Sequence, residues 1–114
     1  MINNNYLRLI DKLIDATKEN RINWQQSTRE NEFFVEVNKY TIAVLYTQKS
    51  LFSIDLDRNA ACTISLINED GVIVDACTIP SDEEGYDKAV MLYNEAKRSF
   101  YKVDDVLNLL TESL

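Results

Sequence analysis

No histidine occurs in this chain of 114 residues, and glycine, at two, and proline, at one, are nearly as scarce. Each shortage removes a class of chemistry. Without histidine there is no Ser-His-Asp or Cys-His relay and no His-containing zinc site, so any proton transfer would fall to a carboxylate, Lys, Tyr or Cys. Two glycines cannot build a Gly-rich loop that cradles phosphates. The two cysteines, Cys62 and Cys77, stand outside any CxxC pair. A four-thiolate metal site would therefore need a second chain, and both side chains read as buried thiols of a reducing compartment. No apolar run approaches the roughly 20 residues that span a bilayer, and the start of the chain lacks a basic leader followed by an apolar stretch. The expectation is a cytoplasmic protein without membrane contact, cofactor, metal or catalytic group.

Basic residues are also few, at 12 against 19 acidic, for a formal net charge of −7. The imbalance is local: residues 1–49 carry seven basic and six acidic side chains, whereas residues 50–114 carry five and thirteen. Binding to nucleic acid through phosphates needs clustered Lys and Arg to displace counterions, and no such cluster exists, so no nucleic-acid partner is expected. An acidic excess keeps a protein soluble, or forms a face that meets a basic partner. The chain has no repeat, no low-complexity stretch and no Pro/Gly-rich linker, and residues 1–114 read as one domain long enough to bury a full core.

What is present is periodicity. Tyr6, Leu9, Ile10, Leu13, Ile14 and Thr17 follow helical spacing, which predicts an amphipathic helix over residues 4–19, capped by Asn3 or Asn4 and stopped by Asn20. Residues 32–37 and 40–47 alternate with a period of two around Asn38-Lys39, a tight hairpin in which Val37 faces Tyr40, Val35 faces Ile42 and Phe33 faces Val44. Residues 52–57 alternate as a further strand. Residues 61–67 and 72–79 make a second hairpin around Asn68-Glu69-Asp70-Gly71. Pairing Asn68 with Val72 there sets Leu66 against Val74, Ile64 against Ala76 and Cys62 against Thr78, with Cys62 and Cys77 on opposite faces. Pro80 ends the last strand, and Ser81 with Glu84 has the form of a capping box for a helix that buries Tyr86, Ala89, Val90, Tyr93, Ala96 and Phe100. Asp104 can cap a last helix with Val106, Leu107 and Leu110 facing inward. The predicted fold class is α+β: an antiparallel meander sheet of four or five strands with an N-terminal helix and two C-terminal helices packed on it.

Few constellations carry chemistry. Asp55, Asp57 and Asn59 open like a calcium loop, but Ala60 stands where the sharp turn needs Gly and Leu66 where a bidentate Glu is needed. Asp82, Glu83, Glu84 and Asp87 suit a helix start and also form a candidate acidic contact surface. Trp24, Asp75 and Cys77 are candidate ligand contacts: a loop Trp that can anchor a flat ligand, a carboxylate among apolar neighbours, and a thiol on the less apolar sheet face. The feature of greatest weight is a second sheet face carrying Phe34, Ala43, Leu45, Ile67 and Ile73, too apolar a set to leave in water as one patch. Either a helix crosses to that face or another protein covers it. The run Leu92 to Arg98, followed by Val103 to Leu107, has the look of a bacterial domain signature to which no function attaches. The reading that follows is a non-enzymatic protein-interaction module, homodimeric through that face. The alternative is an acidic phage- or plasmid-type accessory protein that binds a basic surface of another protein. A third is a small-molecule-binding domain.

Overall fold

A computed structural model describes residues 3–48 and 60–114. In chain order these form α1 (Asn4–Lys18), β1 (Gln25–Gln26), β2 (Glu32–Val37), β3 (Tyr40–Thr47), β4 (Ala61–Ile67), β5 (Ile73–Pro80), α2 (Tyr86–Tyr101) and α3 (Val103–Ser113). The strands pair antiparallel in sequence order, so one helix, a five-stranded meander and two further helices make the α+β architecture that the periodicity predicts. One strand, Gln25–Gln26, comes from a stretch that reads as a polar connection. The strand expected over 52–57, and with it Asp55, Asp57 and Asn59, lies outside the described residues.

The caps of α1 explain its length. The Asn3 side chain accepts from the Asn5 backbone N–H at 2.7 Å, and Asn20 turns left-handed at φ 57°. The Asn20 and Arg21 N–H groups then return to the carbonyls of Thr17 and Ala16 at 3.1 and 2.9 Å, which closes the helix in a Schellman motif. The first hairpin has the expected register, with Val37 opposite Tyr40, Val35 opposite Ile42 and Phe33 opposite Val44. Asn38 and Lys39 both take positive φ, as the two central positions of a type I′ turn require.

The second hairpin begins as expected and then departs. The Asn68 side chain accepts from the N–H groups of Asp70 and Val72, each at 3.0 Å, Gly71 takes φ +81°, and Ile67 pairs with Ile73. Val74 is then an extra residue: the next pairs are Leu66 with Asp75, Ile64 with Cys77 and Cys62 with Ile79. Such a bulge reverses the inside-outside parity of everything beyond it. The expected pairs of Leu66 with Val74, Ile64 with Ala76 and Cys62 with Thr78 are therefore replaced, and Cys62 and Cys77 share one face instead of lying on opposite faces. The physical gain is at the far end of the strand, where Ile79 rather than Thr78 faces inward and is fully buried.

The helix after β5 also starts later than the capping-box pattern implies. Ser81 N–H bonds the Ala60 carbonyl at 2.8 Å, Glu83 N–H bonds that of Pro80 at 3.0 Å, and the helix begins only after Gly85, which takes φ +93°. Its buried residues are Ala89, Leu92, Tyr93 and Ala96, with Tyr86, Val90 and Phe100 half-buried. Lys102, left-handed at φ 53°, is the single residue between α2 and α3. No residue of α3 is buried. Val106, Leu107 and Leu110, expected to face inward, are 46, 51 and 55% exposed, because α3 extends away from the core and meets α2 at its junction.

The core is one layer between the helices and a single face of the sheet. Ile10, Leu13 and Ile14 of α1 and Ala89, Leu92 and Ala96 of α2 close over Phe33, Val35, Ile42, Val44, Cys62, Ile64 and Ile79. Trp24 roofs one end of this layer. Its indole N–H donates to Thr17 Oγ1 at 2.9 Å, and the Thr17 hydroxyl donates to the Leu13 carbonyl at 2.6 Å. Thr17→Val keeps the side-chain volume but leaves the buried indole N–H without an acceptor, at a cost of about 1–3 kcal/mol in urea unfolding. Combining it with Trp24→Phe should cost less than the sum of the two single substitutions, since either one already breaks the relay.

Candidate functional site

The sheet has two faces of different character. Cross-strand partners share a face, so the pairs place Phe34 beside Ala43, Ala43 beside Ser65, and Ser65 beside Ala76 in one row. A second row runs Glu32, Leu45, Thr63, Thr78, and a third runs Glu36, Thr41, Ile67, Ile73. All five residues expected to form an apolar face, Phe34, Ala43, Leu45, Ile67 and Ile73, therefore do lie together. Ile73 keeps its side because it precedes the bulge. Across β3, β4 and β5 these three rows contain no charged residue, and the two carboxylates, Glu32 and Glu36, stand at the β2 margin.

Neither α1 nor α2 lies on this face, since both pack on the opposite one. Exposure rises toward β5: Ala43 is buried, Phe34, Leu45, Thr63, Ser65 and Ile67 are half-buried, and Ile73, Ala76 and Thr78 are exposed. The hydroxyls of Thr63 and Thr78 bond each other at 3.0 Å, which leaves this corner polar yet without charge. Depletion of charge with retention of apolar and hydroxyl groups is the composition of an interface centre.

The other candidate residues are scattered. Asp75, moved by the bulge to the helix face, is exposed and accepts a hydrogen bond from the buried Tyr6 hydroxyl. Trp24 is held at Thr17, eleven residues further along α1 than Tyr6, or about 16 Å at 1.5 Å per residue. Trp24 and Asp75 thus bracket the core rather than share a pocket. Cys77 is half-buried and Cys62 fully buried, and both are free thiols. Burial pushes the Cys62 thiol up to about 12. Burial, and then the charges of Asp75 and Glu83, also raise Cys77. Neither thiol has the electropositive setting that makes a reactive thiolate. Asp82, Glu84 and Asp87 are exposed and Glu83 half-buried, in the turns before α2 and in its first turn.

Five further aromatic rings pack on one another. Phe33 meets Tyr93 and Phe100 at centroid distances of 5.8 and 5.6 Å, Tyr46 stacks on Tyr93 at 5.4 Å, and Tyr101 closes edge-on against Phe100 at 4.9 Å. A crevice of about 390 Å³ where α1 and α2 end and α3 begins is lined by Lys18, Arg98, Lys102, Glu95, Asp104 and Asp105. Arg98 and Asp104 already pair across it at 2.7 Å. Among the described residues no cluster of His, Cys, Asp or Glu could hold a metal ion, and no helix is long and apolar enough to cross a membrane. Comparison with protein-family models, curated proteins and solved structures finds no match for this chain.

The buried hydroxyls and thiols set an alkaline limit on the fold. Burial, and then the hydrogen bond to Tyr46, push Tyr86 up to about 12. Burial, followed by the hydrogen bond to Asp75, raises Tyr6. These groups are neutral when protonated, so the folded state holds its protons more tightly than the unfolded chain. Their contribution is complete below the ordinary values of 9.0 for Cys62 and 10.0 for Tyr86 and is lost as pH climbs through them toward about 12. The urea midpoint should be flat from about pH 6 to 8 and fall steadily above about 9. In Cys62→Ala the thiol part of that fall should shrink while the tyrosine part remains.

Proposed function

We propose that this chain is a non-enzymatic protein-interaction module that works as a homodimer through the helix-free face of its sheet. The observation that supports this reading is the placement of α1 and α2 on one side only, which leaves Phe34, Leu45, Ile67 and Ile73 on a surface charged only at Glu32 and Glu36 on the β2 margin within the paired rows, with no described helix over it. A sheet face of this composition gains free energy when apolar area leaves water, and a second copy supplies a surface of matching character. The reading needs no cofactor, and the net charge of −7 disfavours nucleic acid as the partner. A reducing, cytoplasmic setting suits the two free thiols.

Because charge is confined to the margin of this surface, the dimer should hold as salt is raised. An association carried by Asp82, Glu83, Glu84 and Asp87 against a basic partner would instead weaken as salt screens it over about 10 Å at 0.1 M. Light scattering after gel filtration should show the wild-type chain at twice 13.2 kDa. Leu45→Lys, or Phe34→Lys, should shift it to the monomer with helix content unchanged by circular dichroism, the dimer weakening by about a hundredfold when a central apolar contact becomes a charge. A wild-type monomer throughout the micromolar range would overturn the proposal, as would a lysine variant that stays dimeric.

A further inference from the structure

Among the described residues two surfaces lack a second layer, the sheet face just described and the apolar side of α3. Val103, Val106, Leu107 and Leu110, with the capping Leu114, follow i, i+3, i+4, i+7 and i+11 spacing and form one stripe, while Asp105 and Glu112 fall on the opposite side and Asp104 on its flank. An isolated helix of 11 residues is marginal in water, and most helical stability in proteins comes from packing an apolar face. Among the described residues the contacts of α3 are centred on its junction with α2, made by Lys102 and the Arg98–Asp104 ion pair at 2.7 Å. That ion pair is exposed and contributes little.

We infer that α3 is an exchanged arm: the stripe of one copy lies on the helix-free sheet face of a second copy, and the second copy returns the contact. The inference rests on the reading of that face as the dimer contact and names the element that fills it. Reach decides against the helix covering its own sheet. The α2 helix lies on the other face, and a one-residue connection at Lys102 cannot carry α3 around the sheet edge. Charge allows the pairing, since the rows of β3 to β5 are uncharged and the three carboxylates of α3 lie outside its stripe. Dimensions agree as well. Strands of seven or eight residues at about 3.4 Å each, spaced about 4.8 Å apart, offer a surface about 24 Å long and 10 Å across. The helix is about 16 Å long and 10 Å wide. Area requires reciprocity: one such helix covers less than the about 800 Å² that a stable interface takes from each partner, and giving one helix while receiving another doubles it.

Sedimentation and light scattering on the full chain test this with four samples. Leu107→Asp combined with Leu110→Asp spoils the arm without touching the core, because α3 has no buried residue. Ile73→Lys spoils the face at a position already 62% exposed, where a lysine reaches water without disturbing the core. Each should weaken the dimer about a hundredfold or more, given roughly 1.5–3 kcal/mol per apolar side chain removed from burial. An equimolar mixture of the arm variant with the face variant should associate more tightly than either variant alone, since one intact arm meets one intact face, and more weakly than the wild type, which has both contacts. If the face variant dissociates and the arm variant stays dimeric, the arm inference falls and the sheet-face reading stands. If the arm variant dissociates and the face variant does not, α3 docks elsewhere and the inference is overturned. If neither substitution dissociates the dimer, or the wild type is a monomer, both readings fall.

Discussion

One layer of side chains sets the rest of this structure: Val44, Cys62, Ile64 and Ile79 on the inner sheet face, with Ile10 and Leu92 resting on them. All are at or near zero exposure. The α2 helix presents Ala89 and Ala96 to this layer, both fully buried, and residues that small let a helix backbone come close to the strands. The Cys62 thiol reaches the Ala89 carbonyl at 3.5 Å. At such packing density each strand has one permitted parity, because a one-residue slip would drive its polar side chains into the layer. The bulge at Val74 follows from the same demand. It brings Ile79 inward, and the accompanying inward turn of Asp75 is offset by the Tyr6 hydroxyl, which ties the start of α1 to the outer strand.

Much of this is local enough to be legible in the sequence. The alternation of residues 32–47 around Asn38-Lys39 fixes a register that the structure reproduces pair by pair, since turn type and binary pattern agree. The first helix is equally legible, because Asn3 and Asn20 bracket an unbroken apolar stripe. What escapes is what depends on distant partners. Nothing at Val74, neither Gly nor Pro, marks the extra residue, and its reason lies in what Ile79 meets across the core. The Ser81-x-x-Glu84 pattern is a local signal that loses to Gly85, whose left-handed backbone delays the helix. Gln25–Gln26 is too short for any period to show. In α3 the spacing of Val106, Leu107 and Leu110 reveals an apolar side but not what lies against it. The candidate face was legible in composition, since Phe34, Ala43, Leu45, Ile67 and Ile73 all alternate onto it. That both long helices avoid that face is a tertiary fact.

The molecule is therefore asymmetric across its sheet. One side is a finished core with its buried side-chain polar atoms satisfied among the described residues. The other combines threonine, serine, alanine and a few large apolar groups, with Glu32 and Glu36 at the β2 margin. Thiols and tyrosines, the groups that might have carried reaction chemistry in a chain without histidine, sit where burial favours their neutral forms. Trp24 and Asp75 act as fastenings at the two ends of α1.

The outer strands carry a further consequence. At one end of the sheet β1 has only two residues. At the other, β5 combines the irregularity at Val74, the Asp75 carboxylate and a terminal Pro80. A ladder that is short on one side and kinked, charged and proline-stopped on the other is a poor template for another strand. Growth along the hydrogen-bonding direction, the route to fibrils, is thereby discouraged at both ends. The helix-free face is turned perpendicular to that direction, so a contact made there does not extend the ladder.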